Sequence, residues 1–149
     1  MFSSITSEQF DRYKSKGFNR IPIVLECNAD LATPLSIYTT LANQPYSYLL
    51  ESAEGGEKFG RYSIIGLPSK FIIKISGNTI RTFKDGHLDQ ESHHQNPLNF
   101  IADFMANFKV PEDLKLPRYS GGLAGYFGYE TVQYIEPKLL KNYLNDQLN

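Results

Sequence analysis

Lys70–Ser76 (KFIIKIS), Gly77-Asn78, Thr79–Lys84 (TIRTFK), Asp85-Gly86 and His87–Ser92 (HLDQES) follow one another without a gap, and their reading decides the fold. Runs rich in β-branched and aromatic residues read as strands. Two-residue Gly-Asn and Asp-Gly joints between such runs are hairpin turns. The stretch therefore predicts an antiparallel meander. Arg61–Gly66 (RYSIIG), before the break Leu67-Pro68-Ser69, reads as its first strand, so the meander is expected over about residues 61–92.

Outward from the meander the chain alternates short elements. Tyr46–Ser52 (YSYLLES) reads as a strand. Ala53–Gly60 (AEGGEKFG) holds three glycines and reads as a loop. Thr33-Pro34 is a cap residue followed by a first-turn proline, which predicts a helix over PLSIYTTLA. Arg20–Cys27 (RIPIVLEC) reads as a strand weakened by Pro22, with Cys27 a small buried residue at its end. A first helix runs from a Thr6 or Ser7 cap to about Lys16, with Gly17 as its stop and Phe10 and Tyr13 on one face. Downstream, Asn96-Pro97 opens a helix to about Phe108, with Leu98, Ile101, Met105 and Phe108 at helical spacing. Gly121–Tyr129 (GGLAGYFGY) has four glycines and reads as a strand whose glycines admit close packing. Glu130–Ile135 reads as a helical start that stops before Pro137. The expected class is α+β, a largely antiparallel sheet with helices outside it. The domain is expected over residues 1–137, with 138–149 a tail or the start of a linker.

Composition narrows the function classes. The chain has 149 residues, 41% hydrophobic and 21% charged, which is a globular composition for about one domain. Fifteen basic and sixteen acidic side chains leave a charge of −1. That balance argues against a module driven by phosphate contacts, so no nucleic-acid partner is expected. No apolar run approaches a membrane span, and Met1-Phe-Ser-Ser lacks a signal-peptide pattern. A single cysteine excludes an internal disulfide framework and suits a reducing compartment, so a cytoplasmic location is expected.

Candidate chemistry is sparse. His87, His93 and His94 lack cysteine company and helical ligand spacing, so no metal site is expected. Gly121–Gly128 has neither a closing Gly-Lys-Ser/Thr nor GxGxxG. Glu51 and Ser52 end an apolar strand just before the glycine-rich loop. A carboxylate and a hydroxyl so placed suit an amino acid's ammonium group, although a solvated strand end is the plainer reading of the residues alone.

Three segments in order change that weighing. They are Asp30-Leu-Ala-Thr-Pro-Leu-Ser-Ile-Tyr, Tyr46 through Gly66 (YSYLLESAEGGEKFGRYSIIG), and Gly121 through Glu136 (GGLAGYFGYETVQYIE). Together they resemble the N-terminal region of anthranilate synthase component I, a chorismate-utilising family, over roughly residues 20–137. Gln133 stands where the family pattern has arginine. The resemblance implies an enzyme whose complete form converts chorismate and ammonia or glutamine to anthranilate and pyruvate. It also implies Mg²⁺ and a glutamine amidotransferase subunit. The chorismate and metal residues lie, in that family, in a longer C-terminal region that would complete an α/β sandwich. This chain is therefore expected to be non-catalytic, with no catalytic residue, cofactor or metal of its own. Its exposed apolar surface makes a dimer expected.

The resemblance further implies a feedback site for L-tryptophan on Leu50, Glu51 and Ser52. Lys58, Arg61, Tyr62 and Ser63 are further contacts implied beyond the loop. Glu51 would meet the ligand ammonium, a cation such as Lys58 or Arg61 its carboxylate, and Leu50 part of the indole wall. Two alternatives stay open: the aminodeoxychorismate branch of the same family, and a free-standing small-molecule sensor or interaction domain.

Overall fold

The computed structural model describes residues 2–3, 5–52, 62–117, 119–136 and 138. The chain divides into two compact units, Met1–Glu26 with Gly77–Thr79 and His93–Asn149, and Cys27–Ser76 with Ile80–Ser92. The class is α+β with antiparallel pairing.

In the first unit, α1 spans Ser7–Ser15. Its cap is reciprocal: Thr6 accepts from the Gln9 amide while the Gln9 side chain accepts from the Thr6 amide, which satisfies two otherwise orphaned donors. Gly17 ends the helix at φ +83°. Tyr13 is buried on the helix's inner face and meets Phe18 edge-on at 5.8 Å. The predicted strand over Arg20–Cys27 shrinks to Leu25–Glu26 (β2), paired antiparallel with Phe2–Ser3 (β1). Two causes remove its start from a ladder. Pro22 has no N–H to give. The Asn19 and Arg20 amides are already spent on the Lys109 carbonyl. Cys27 lies beyond the shortened strand and is exposed, not buried.

The same Asn19 ties two distant stretches together. Its side chain donates to the Asn107 carbonyl at 2.7 Å and accepts from the Lys109 amide at 2.7 Å. These bonds hold the C-terminal end of α3, which spans Pro97–Ala106 behind an Asn96 cap. At four-residue spacing along and just past α3, Phe100 stacks on Phe104 at 6.2 Å and Phe104 meets Phe108 edge-on at 5.1 Å. Arg20 lies 4.6 Å over the Phe108 ring. Asn19→Ala removes both side-chain bonds and strands their backbone partners, at about 1–3 kcal/mol. Urea denaturation of the chain checks this; an unchanged midpoint would show the clasp to be idle.

The C-terminal part of this unit departs from the strand expectation. Gly121–Gly128 carries no regular element, and a short 3-10 helix follows over Tyr129–Tyr134. Close packing does not explain the glycines: a Cβ at Gly121, Gly122 or Gly125 would meet nothing within 4 Å. The backbone explains two of them, because Gly121 and Gly122 sit at φ +131° and +136°, where a side chain is strained. Tyr126 and Tyr129 are 94% and 89% exposed. Tyr134 is anchored, its hydroxyl donating to the Gly77 carbonyl at 2.7 Å. The sequence beyond Pro137 lies outside the described residues, apart from Lys138.

In the second unit, the meander forms over Phe71–Ser76 (β5), Thr79–Lys84 (β6) and His87–His93 (β7), with β6 central, but it is shorter than expected: Ser63–Gly66 leaves it and pairs with Tyr48–Glu51 in a separate sheet. Asp85 and Gly86 both take positive φ, +50° and +83°, as a primed hairpin turn requires. Ile80 and Thr82 alternate onto the buried face of β6, while Arg81 pairs with Glu91 across the ladder on the other. Lys74 lies between the Tyr46 and Phe83 rings, 5.5 and 5.1 Å from their centroids.

The other pair of strands carries the candidate site. Tyr48–Glu51 (β3) pairs antiparallel with Ser63–Gly66 (β4). Helix α2, Pro34–Leu41, lies beside both strands. Its Thr33–Ser36 capping box and first-turn Pro34 fix its start. Ala42, just past its end, is fully buried. The Tyr38 hydroxyl and Ser47 Oγ are hydrogen-bonded at 3.1 Å, which ties the helix to the residue before β3.

Candidate functional site

The geometry of this site follows from the register of one ladder. Tyr48 stands opposite Gly66, Leu49 opposite Ile65, Leu50 opposite Ile64 and Glu51 opposite Ser63. Directly opposed residues share a face, and successive residues alternate. Glu51, Ser63, Leu49 and Ile65 therefore share one face of the ribbon. Leu50, Ile64, Tyr48 and Gly66 share the other. The ring of Tyr48 lies directly over Gly66, filling the place of a Cβ.

The polar groups gather at the loop end. Ser63 Oγ donates to Glu51 Oε1 at 3.3 Å. Ser52, one residue past the ladder, donates to the Tyr62 carbonyl at 3.3 Å and so continues the closure of the two strands. Glu51, Ser52 and Ser63 are exposed, and Leu50 and Tyr62 are 54% and 71% exposed. Among the described residues, this end of the ladder carries one carboxylate, Glu51, and two largely exposed apolar side chains, Leu50 and Tyr62.

Of the sequence-predicted contacts, Glu51, Ser52, Tyr62 and Ser63 come together here. Leu50 is adjacent in sequence yet points to the opposite face from Glu51. Lys58 and Arg61 lie outside the described residues, as does the Ala53–Gly60 loop. The pairing of Ser63 with Glu51 was the element that sequence reading did not isolate. Its signal is the Tyr48/Gly66 pair, since a glycine facing a large ring marks the register two strands must adopt. Two shallow clefts lie elsewhere, one about 220 Å³ at Ile5, Thr6, Ser7, Phe10 and Ile23, the other about 420 Å³ along Asn28–Ala32. Neither includes a residue of the Glu51 group.

The comparison with known proteins is decided by curated relatives. A protein of Neisseria meningitidis serogroup B named anthranilate synthase component 1 is 52% identical over 132 residues, 89% of this chain and 27% of its own length. Proteins of the same name from Pseudomonas putida and Pseudomonas aeruginosa are 50% identical over 133 residues and 48% over 132, with the same coverages of 89% and 27%. The chain is homologous to the N-terminal region of anthranilate synthase component 1. It spans about a quarter of the length of these anthranilate synthase relatives, 27% in each case. No protein-family model and no solved structure matches it.

Histidine and acidic side chains form no metal centre among the described residues. No group of three His, Cys, Asp or Glu side chains there is placed to hold an ion. His93 Nδ1 is hydrogen-bonded with Thr79 Oγ1 at 3.2 Å, and His94 packs edge-on against Phe100 at 5.2 Å. No helix of the described residues is long and apolar enough to cross a membrane.

Proposed function

We propose that this chain is the effector-binding N-terminal part of an anthranilate synthase component 1, and that the effector is L-tryptophan. The complete protein would convert chorismate with ammonia or glutamine to anthranilate and pyruvate in the cytoplasm, with a glutamine amidotransferase subunit as ammonia source. Residues 1–137 form its N-terminal domain and 138–149 lead onward. The names of the relatives favour the anthranilate branch over the aminodeoxychorismate branch. The observation that supports the effector reading is the Glu51 group at the open end of β3 and β4, poised for an ammonium.

The chain's own residues supply recognition. Glu51 carries the charge complement of the ligand ammonium. Ser52 and Tyr62 hold the strand ends at a fixed separation. Tyr62 offers apolar surface toward an indole, whereas Leu50 faces the other side of the ladder from Glu51. The implied Mg²⁺ finds no donor set among the described residues, so it is not assigned to this chain and no step runs through it. The chain by itself forms no anthranilate. Exposed apolar side chains such as Leu50, Tyr126 and Phe127 are surface for a continuing chain or a second copy to cover.

Feedback inhibition requires that the effector bind one of two states more tightly, with a coupling of about 1–3 kcal/mol. The test is the fluorescence of anthranilate formed by the complete gene product from chorismate, Mg²⁺ and ammonium. L-tryptophan lowers the rate saturably. Aminodeoxychorismate as product would overturn the branch, and a rate indifferent to tryptophan would overturn the effector role.

A further inference from the structure

We propose that Ser63 is a positioning residue for the effector site: its hydroxyl holds Glu51 Oε1 so that the carboxylate is turned toward the primary ammonium of an α-amino acid. The inference rests on the effector reading above and goes beyond it by giving Ser63 a role without ligand contact. The register supplies the geometry, since Ser63 is the direct cross-strand partner of Glu51. The hydroxyl lies 3.3 Å from Oε1, and this is the hydrogen bond the Glu51 carboxylate makes among the described residues. A carboxylate has about four acceptor positions, and among the described residues the single bond to Oε1 leaves Oε2 to accept another donor.

A glutamate side chain has three rotatable bonds, and on an exposed strand end it samples many rotamers. Fixing it before the ligand arrives removes part of the ordering cost of binding. Ser52 does not share this task, because its hydroxyl is committed to the Tyr62 carbonyl. The bond at 3.3 Å is long for O–H···O, as expected where water competes.

The experiment uses the complete gene product and reads the L-tryptophan concentration that half-inhibits anthranilate formation. Ser63→Ala raises it about three- to tenfold, the range of one lost hydrogen bond. Ser63→Thr, which keeps the hydroxyl, restores near-native sensitivity. Ser63→Val, with threonine's shape and no hydroxyl, behaves like alanine. In a Glu51→Gln background Ser63→Ala adds little further loss, because its target is gone. A tryptophan-sensitive wild type with unchanged Ser63→Ala, or losses that simply add to those of Glu51→Gln, overturns the positioning role alone. A tryptophan-insensitive wild type overturns the effector reading and this role with it.

Discussion

Glu51→Gln raises the half-inhibiting L-tryptophan concentration of the complete gene product about tenfold or more. Glutamine keeps the shape and one acceptor oxygen of glutamate but loses its charge. Hydrogen bonds to charged groups contribute about 1.5–3 kcal/mol, against about 0.5–1.5 for neutral ones. The difference of about 1.4 kcal/mol is one decade in affinity. Turnover without tryptophan stays native, because Glu51 has no part in bond breaking. Stability also changes little, since the side chain is exposed and its hydrogen bond is to an exposed serine. Inhibition curves and a urea midpoint separate these effects. Equal sensitivity in Glu51→Gln and wild type would remove Glu51 from the site.

Gly66→Ala has the largest expected effect on the fold. The new Cβ would overlap three atoms of the Tyr48 ring across the ladder. The ring must leave its place, or the strands must separate or slip. Overpacking of this kind costs about 1–3 kcal/mol. A slip by one residue would turn Ser63 away from Glu51 and move every side chain of β4 to the other face. Gly66→Ala therefore lowers the urea midpoint and weakens tryptophan inhibition together. In a Tyr48→Ala background the added methyl has space, and its cost falls to a few tenths of a kcal/mol. Full cost in both backgrounds would show that the ring is not the obstacle.

Gly66 and Gly121 illustrate what the sequence reveals and what it withholds. Close packing was the reading of the Gly121–Gly128 glycines, while Gly66 was read only as the end of a strand. At Gly66 the backbone is ordinary and the neighbouring ring demands the missing side chain. At Gly121 and Gly122 the surroundings are open and the positive φ demands it. A sequence shows that a side chain is absent but not which of two forces removed it.

The meander was legible because its turns are chemical signals. Asp85-Gly86 can adopt two successive positive φ values where most residues cannot, so the hairpin announces itself. Capped helices were legible for the same reason, Thr33-Pro34 and Asn96-Pro97 marking starts that the structure places at Pro34 and Pro97. Arg20–Cys27 misled because its β-branched residues suit a ladder while its first amides are engaged by Lys109. That competition is tertiary and leaves no local trace. At the Glu51 ladder the strand was legible in the sequence, but the face each side chain takes was not. LLES places Leu50, Glu51 and Ser52 side by side in sequence, yet a strand turns Leu50 and Glu51 to opposite faces. Only the pairing partner shows which polar group each one meets.

The claim that tryptophan binds at the open end of β3 and β4 is tested most directly by amide hydrogen exchange of the complete gene product, with and without saturating L-tryptophan. Ligand binding should slow exchange at residues 48–52 and 62–66, and Glu51→Gln should abolish that protection at the same ligand concentration. Saturable inhibition with unchanged exchange across both strands would place the effector elsewhere and contradict the account.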